Sequence, residues 1–114
     1  MEIFKSYTES EKFSRDFALK DQINAASGSI MDNIAEGFER SGRKVFINFL
    51  SIAKGSCGEI KSQLYRALDR NYILQPHFDY LWNKADVLGK KIGAFINYLA
   101  ASTYKGTKFK NRQN

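Results

Sequence analysis

DFALKDQINAASGSIMDNIAEGFERSGRKVFINFLSIAKGSCGEIKSQLYRA, residues 16 to 67, decides the fold. Asp16 is suited to capping a helix start, and after it apolar and small side chains recur at Leu19, Ile23, Ala26, Ile30, Ile34 and Phe38, at steps of three or four. That spacing is one face of an amphipathic helix. Ser41-Gly42 interrupts it with two turn-forming residues, and a second run follows at Phe46, Phe49, Ala53, Cys57, Ile60, Leu64 and Ala67. So short a connection requires the two helices to run antiparallel. Reflection about the turn sets Ala26 opposite Cys57, Gly28 opposite Gly55 and Ile30 opposite Ala53. Small-residue clusters at 25–29 and 55–58 then meet. A glycine inside a helix costs about 1 kcal/mol relative to alanine, so the matched clusters predict close approach of the two backbones.

Downstream, the stretch 71–75 breaks the pattern again, Pro76 suits a first helical turn, and a third run follows at Phe78, Leu81, Ala85, Leu88, Ile92, Phe95 and Leu99. Residues 1–102 read as one helical domain, and 103–114 as a polar, basic and disordered tail. Upstream, Ile3, Phe4 and Tyr7 have helical spacing over a stretch fit only for a stub of helix. The apolar surface is wider than one seam needs: Ile47, Leu50, Tyr65, Leu68 and Ile73 lie beside the second stripe, and Trp82 and Tyr98 beside the third. Another helix, another copy of the chain, or plain exposure would account for the excess.

The chain has 114 residues and a formal charge of +6. Four cations, Lys105, Lys108, Lys110 and Arg112, fall in the last ten positions, which leaves residues 1–102 with 14 basic against 12 acidic side chains. A second basic zone holds Arg40, Arg43, Lys44, Lys54, Lys61, Arg66 and Arg70. Solubility and polyanion binding both fit such a surface. There is no secretory leader pattern or spanning segment, and the single Cys57 suits a reducing compartment, so the expected location is cytoplasmic.

Catalytic patterns are absent. The lone His77 has Leu74 three residues before it, not the glutamate of a di-iron Glu-x-x-His pair. The run Gly55-Ser56-Cys57-Gly58 lacks nucleophile-elbow spacing and lies inside a helical pattern. Glu36 and Glu59 could be imagined as acid and base. Glu36, however, has Arg40 one turn later and Glu59 falls near Lys20 and Asn24, which makes ion pairing the economical reading. The expectation is a protein that is not an enzyme and carries no metal or cofactor.

The stretch 33–38, Asn-Ile-Ala-Glu-Gly-Phe, is followed by 46–56, Phe-Ile-Asn-Phe-Leu-Ser-Ile-Ala-Lys-Gly-Ser, and then by Glu59, Gln63 and Leu64. With these motifs, the region from about Phe17 to Leu99 resembles the four-helix bundle proteins first noted as open reading frames inside intervening sequences of bacterial 23S rRNA. The resemblance implies an all-α, antiparallel up-and-down four-helix bundle, here with a short or truncated first helix. It also implies assembly as a ring, with a homopentamer favoured, and no catalytic residues. Asn33, Glu36, Gly37, Phe38, Gly55, Ser56 and Glu59 become structural motif positions. A related branch includes the accessory variability protein of diversity-generating retroelements, a basic pentameric bundle that binds nucleic acid and a reverse transcriptase.

Two functions follow as expectations. One is an oligomeric module binding structured RNA or DNA through Lys54, Lys61, Arg66 and Arg70, with Lys105, Lys108 and Lys110 of the tail adding charge. The other is a homo-oligomeric scaffold that docks a partner protein such as a reverse transcriptase.

Overall fold

The computed structural model describes residues 16–40 and 42–113, with side chains described through residue 102. Three helices account for nearly all of it: α1 is Phe17–Glu39, α2 is Arg43–Asp69 and α3 is Gln75–Gln113. No strand occurs among the described residues. The expected stub at Ile3, Phe4 and Tyr7, and with it a fourth helix, lies outside the described residues.

Local chemistry sets the helix ends. Asp16 caps α1, its Oδ1 accepting from the Leu19 N–H at 3.1 Å. Between α1 and α2, Gly42 sits at φ +105°, a backbone state that only glycine adopts without strain. The end of α2 closes as a Schellman motif: Asn71 takes φ 60°, its N–H donates to the Leu68 carbonyl at 3.0 Å, and the Tyr72 N–H donates to the Ala67 carbonyl at 2.9 Å.

Helix α2 is the centre of the molecule. α1 and α3 each pack along it, and among the described residues they barely touch one another. The buried apolar side chains are Leu19, Ile23, Ala26 and Ile30 of α1, Leu50, Ala53, Cys57, Ile60, Leu64 and Ala67 of α2, and Phe78, Leu81, Ala85, Ile92 and Leu99 of α3, with Ile73 from the second turn. Each fully buried leucine or isoleucine contributes about 1.5–3 kcal/mol. The expected stripes are therefore present with local exceptions. Leu50, read as flanking, is central; Ile34, Phe46, Phe49 and Leu88 are half-buried; Phe38 and Phe95 are exposed.

The expected close approach of Gly28 to Gly55 does not occur. A Cβ built on Gly28, Gly55 or Gly58 would meet nothing within 4 Å. The reason is rotational. Gly28 follows Ala26 by two residues, about 200° around the helix, so it turns away from α2 when Ala26 faces it, and Gly55 stands in the same relation to Cys57. The register also runs slightly beyond simple reflection, since Ser29 meets Ser56 rather than position 54. The true close approach is at Gly37, where a Cβ would lie 2.7 Å from Phe49 Cβ and 2.9 Å from Phe46 Cδ1.

At the C-terminus α3 is traced to Gln113, with its side chains described through residue 102. After Leu99 the sequence has no proline and a single glycine, Gly106, and Lys, Arg, Gln and Ala there are compatible with a helix.

Candidate nucleic-acid interface

The cations of α2 do not share one face. Lys54 and Lys61 are seven residues apart, two turns, and both are directed toward α3. Arg66 is five residues past Lys61, a rotation of about 140°, and turns toward α1. There its Nη1 lies 3.4 Å from Gln22 Oε1. Arg70 Nη1 pairs with Asp16 Oδ2 at 2.5 Å, and the Tyr72 hydroxyl donates to the same oxygen at 2.9 Å. The Leu19 N–H, the Tyr72 hydroxyl and Arg70 hold the Asp16 carboxyl below its usual range, and the Tyr72 phenol is raised in turn by its bond to Asp16. Arg70 thus joins the end of α2 to the start of α1. The expected set of Lys54, Lys61, Arg66 and Arg70 is divided between two sides of the molecule, while the side chains of Lys105, Lys108 and Lys110 lie outside the described ones.

Between α2 and α3 runs a hollow of about 770 Å³ with Lys54, Lys61, Asp86 and Lys90 along it and Gly55, Gly58, Gly89 and Gly93 in its walls. The glycines keep it open. A Cβ on Gly89 would touch Cys57 Cβ at 3.5 Å, and one on Gly93 would crowd Lys54 Cε at 3.2 Å. Lys61 is engaged within the protein: its Nζ lies 2.7 Å from Asp86 Oδ1 and 4.5 Å from the centre of the Trp82 ring. Lys90 takes the other Asp86 oxygen at 2.9 Å. Hydrogen bonds from Lys61 and then Lys90 hold the Asp86 carboxyl below its usual range against the opposing effect of burial. Lys54 is exposed and forms no ion pair among the described residues. Burial pushes the Cys57 thiol up, with Lys61 partly opposing.

The motif residues carry packing. Asn33 Nδ2 donates to the Ser29 carbonyl at 2.7 Å and to Ser29 Oγ at 2.9 Å, and Ser29 Oγ lies 3.0 Å from Ser56 Oγ. A polar chain therefore ties α1 to α2 inside an otherwise small-residue seam. Gly37 admits Phe46 and Phe49 against α1. Glu36 pairs with Arg40 at 2.8 Å, as the four-residue spacing predicts, and the Arg40 guanidinium lies 5.8 Å from the Phe49 ring centre. Glu59 is exposed beside Gln22, Ser29 and Gly55 in a second hollow of about 550 Å³ between α1 and α2.

Sequence reasoning passed over two features. Lys90 joins Lys54 through the register of α2 on α3; the four-residue spacing of Gly89 and Gly93 was the available signal. The other is a row of rings at the end of the molecule near the first turn. Phe38 meets Phe46 edge-on at 6.3 Å, Phe46 meets Phe95 at 5.7 Å, and Phe95 lies within 10° of parallel to Tyr98 at 6.3 Å. Three of these are counted as core by periodicity alone.

No group of three metal-ligating side chains occurs among the described residues, and no helix among them is long and apolar enough to cross a membrane. The fold defines an all-helical protein whose outer helices are laid on a central one. The chain belongs to the family of 23S rRNA-intervening sequence proteins, which it matches over residues 1–94. It is similar to the crystal structure of a protein of unknown function from the S23 ribosomal protein family of Bacteroides thetaiotaomicron, with a TM-score of 0.76 and 25% identity over 83% of this chain and 88% of that one. No curated protein matches.

Proposed function

We propose that this chain is a non-enzymatic, homo-oligomeric protein that binds RNA or DNA through its lysines, with a ring of five as the assembly its family resemblance implies. The observation that carries this reading is the α2–α3 hollow, where Lys54 stands unpaired among the described residues beside Lys90, over walls of glycine. Glycine walls let a phosphate backbone come close, and lysine supplies a point charge for it. One such site is weak; a ring repeats it and multiplies the affinity. Lys61 acts in this reading by fixing Asp86, not by touching phosphate.

The test is binding of structured RNA at several salt concentrations, read together with solution mass by light scattering. Affinity should fall linearly on logarithmic axes, with a slope of about −0.7 to −0.9 for each phosphate neutralised. Lys54→Ala should make that slope shallower. A response independent of salt, or no binding at low salt, overturns the reading.

A shallow hollow of about 480 Å³ on α3, formed by Tyr80, Asn83, Lys84, Val87, Leu88 and Lys91, favours a second reading. It is largely apolar and suits a protein partner. A reverse transcriptase is the type implied by likeness to the accessory variability proteins. A partner retained from host lysate after nuclease digestion would support this reading over the first.

A further inference from the structure

We infer that the aromatic row Phe38–Phe46–Phe95–Tyr98 is a stacking platform for unpaired bases, so that the nucleic acid bound is single-stranded or looped. The inference rests on the nucleic-acid reading above and deepens it. The three outer rings are exposed, Phe38 at 75%, Phe95 at 41% and Tyr98 at 65%, while half-buried Phe46 joins α1, α2 and α3 beneath them. Phe46 meets Phe38 and Phe95 with ring planes nearly perpendicular, at 77° and 81°. Phe95 and Tyr98, nearly parallel and one helical turn apart, present faces of one orientation, as consecutive bases require.

Charge selects the occupant. Arg43 precedes Phe46 and Lys91 precedes Phe95 by about one turn, so each cation borders the row. Arg40 and Lys44 lie at the same corner, against Glu36 and Glu39. Downstream of Asp86 the chain has no acidic residue and six basic ones, Lys90, Lys91, Lys105, Lys108, Lys110 and Arg112. A polyanion with flat apolar bases satisfies both features: phosphates meet the cations and bases cover the rings. Duplex nucleic acid meets only the first, because its bases are already stacked.

The experiment is fluorescence anisotropy of the full chain with a labelled single-stranded RNA of about 12 nucleotides, and with the duplex it forms with its complement, at one low salt concentration. The single strand should bind more tightly. Tyr98→Ala and Phe38→Ala should each weaken single-strand binding about tenfold and duplex binding less than about twofold, with Tyr98→Trp restoring the former. Both residues are exposed, so unchanged helicity in circular dichroism confirms folded variants. Equal affinity for the two RNAs, or equal losses on both, overturns the platform and leaves the lysine-based reading standing. Single-strand binding that survives both alanine variants while solution mass falls identifies the row as a contact between copies and also overturns it. Absence of any binding at low salt overturns the nucleic-acid reading and the platform together.

Discussion

Replacing glycine by alanine should change stability in opposite directions at two positions of α1. At Gly28 the new methyl enters open space, since nothing lies within 4 Å. The helix gains intrinsic propensity, so Gly28→Ala should stabilise the fold by about 0.5–1 kcal/mol. At Gly37 the same methyl would lie 2.7 Å from Phe49 Cβ, an atom fixed to the α2 backbone, and 2.9 Å from Phe46 Cδ1. A ring edge can turn aside, but a Cβ moves only with its helix. Overpacking of this kind costs about 1–3 kcal/mol, and against a backbone-fixed Cβ the upper part of that range applies; less a propensity gain of about 1 kcal/mol, Gly37→Ala should destabilise by up to about 2 kcal/mol. For a domain of this size each kcal/mol moves the melting temperature by about 4–8 °C. Urea and thermal unfolding followed by circular dichroism at one protein concentration would read both signs. Equal stabilisation by the two substitutions would refute the close approach at Gly37.

Three further outcomes are expected. Asp16 and Asp86 have carboxyls held below their unfolded range, so the stability they supply is fully present above about pH 4 and is lost as pH falls through their lower folded values; acid titration of the helical signal should show it, and Asp86→Asn should flatten the curve. Asp16→Ala removes an N-cap together with the tie to Arg70 and Tyr72, and should lower the urea midpoint more than Glu36→Ala, which breaks an exposed pair only. Cys57 is 2% exposed with a raised thiol, so Ellman's reagent near pH 8 should react slowly with folded protein and quickly in denaturant; fast reaction in the native state would contradict its burial.

The helices were legible in the sequence because period and punctuation agreed. Asp16 caps, Gly42 turns, and Leu19, Ile23, Ala26 and Ile30 repeat at core spacing. Pairing of α1 with α2 was also legible from the short turn, but facing was not. Counting back from a turn matches heights along two rods and is silent on rotation, so it pairs Gly28 with Gly55 although Ala26 and Cys57 occupy the facing sides. The same blindness merged Lys54 and Lys61 with Arg66 and Arg70. The spacing of Gly89 and Gly93 hints at a close face on α3, but setting Lys90 beside Lys54 requires the register of α3 on α2. By spacing alone Phe38 continues the core stripe, but the neighbouring Gly37 takes the facing position and leaves Phe38 outside. The physical content of the stretch 33–38, a serine–asparagine chain and a seat for two rings, needed coordinates.

Gly55 borders both troughs of the molecule, the one shared with α1 and the one shared with α3. It therefore acts as a low saddle between two valleys on either flank of the middle rod. A bulky side chain there would raise a ridge seen from both sides at once, so a ligand seated in one valley and a substitution aimed at the other would be felt through a single residue. Variants at this position will confound any attempt to assign an effect to one trough alone, whereas Glu59 and Lys90, each confined to its own slope, will separate them.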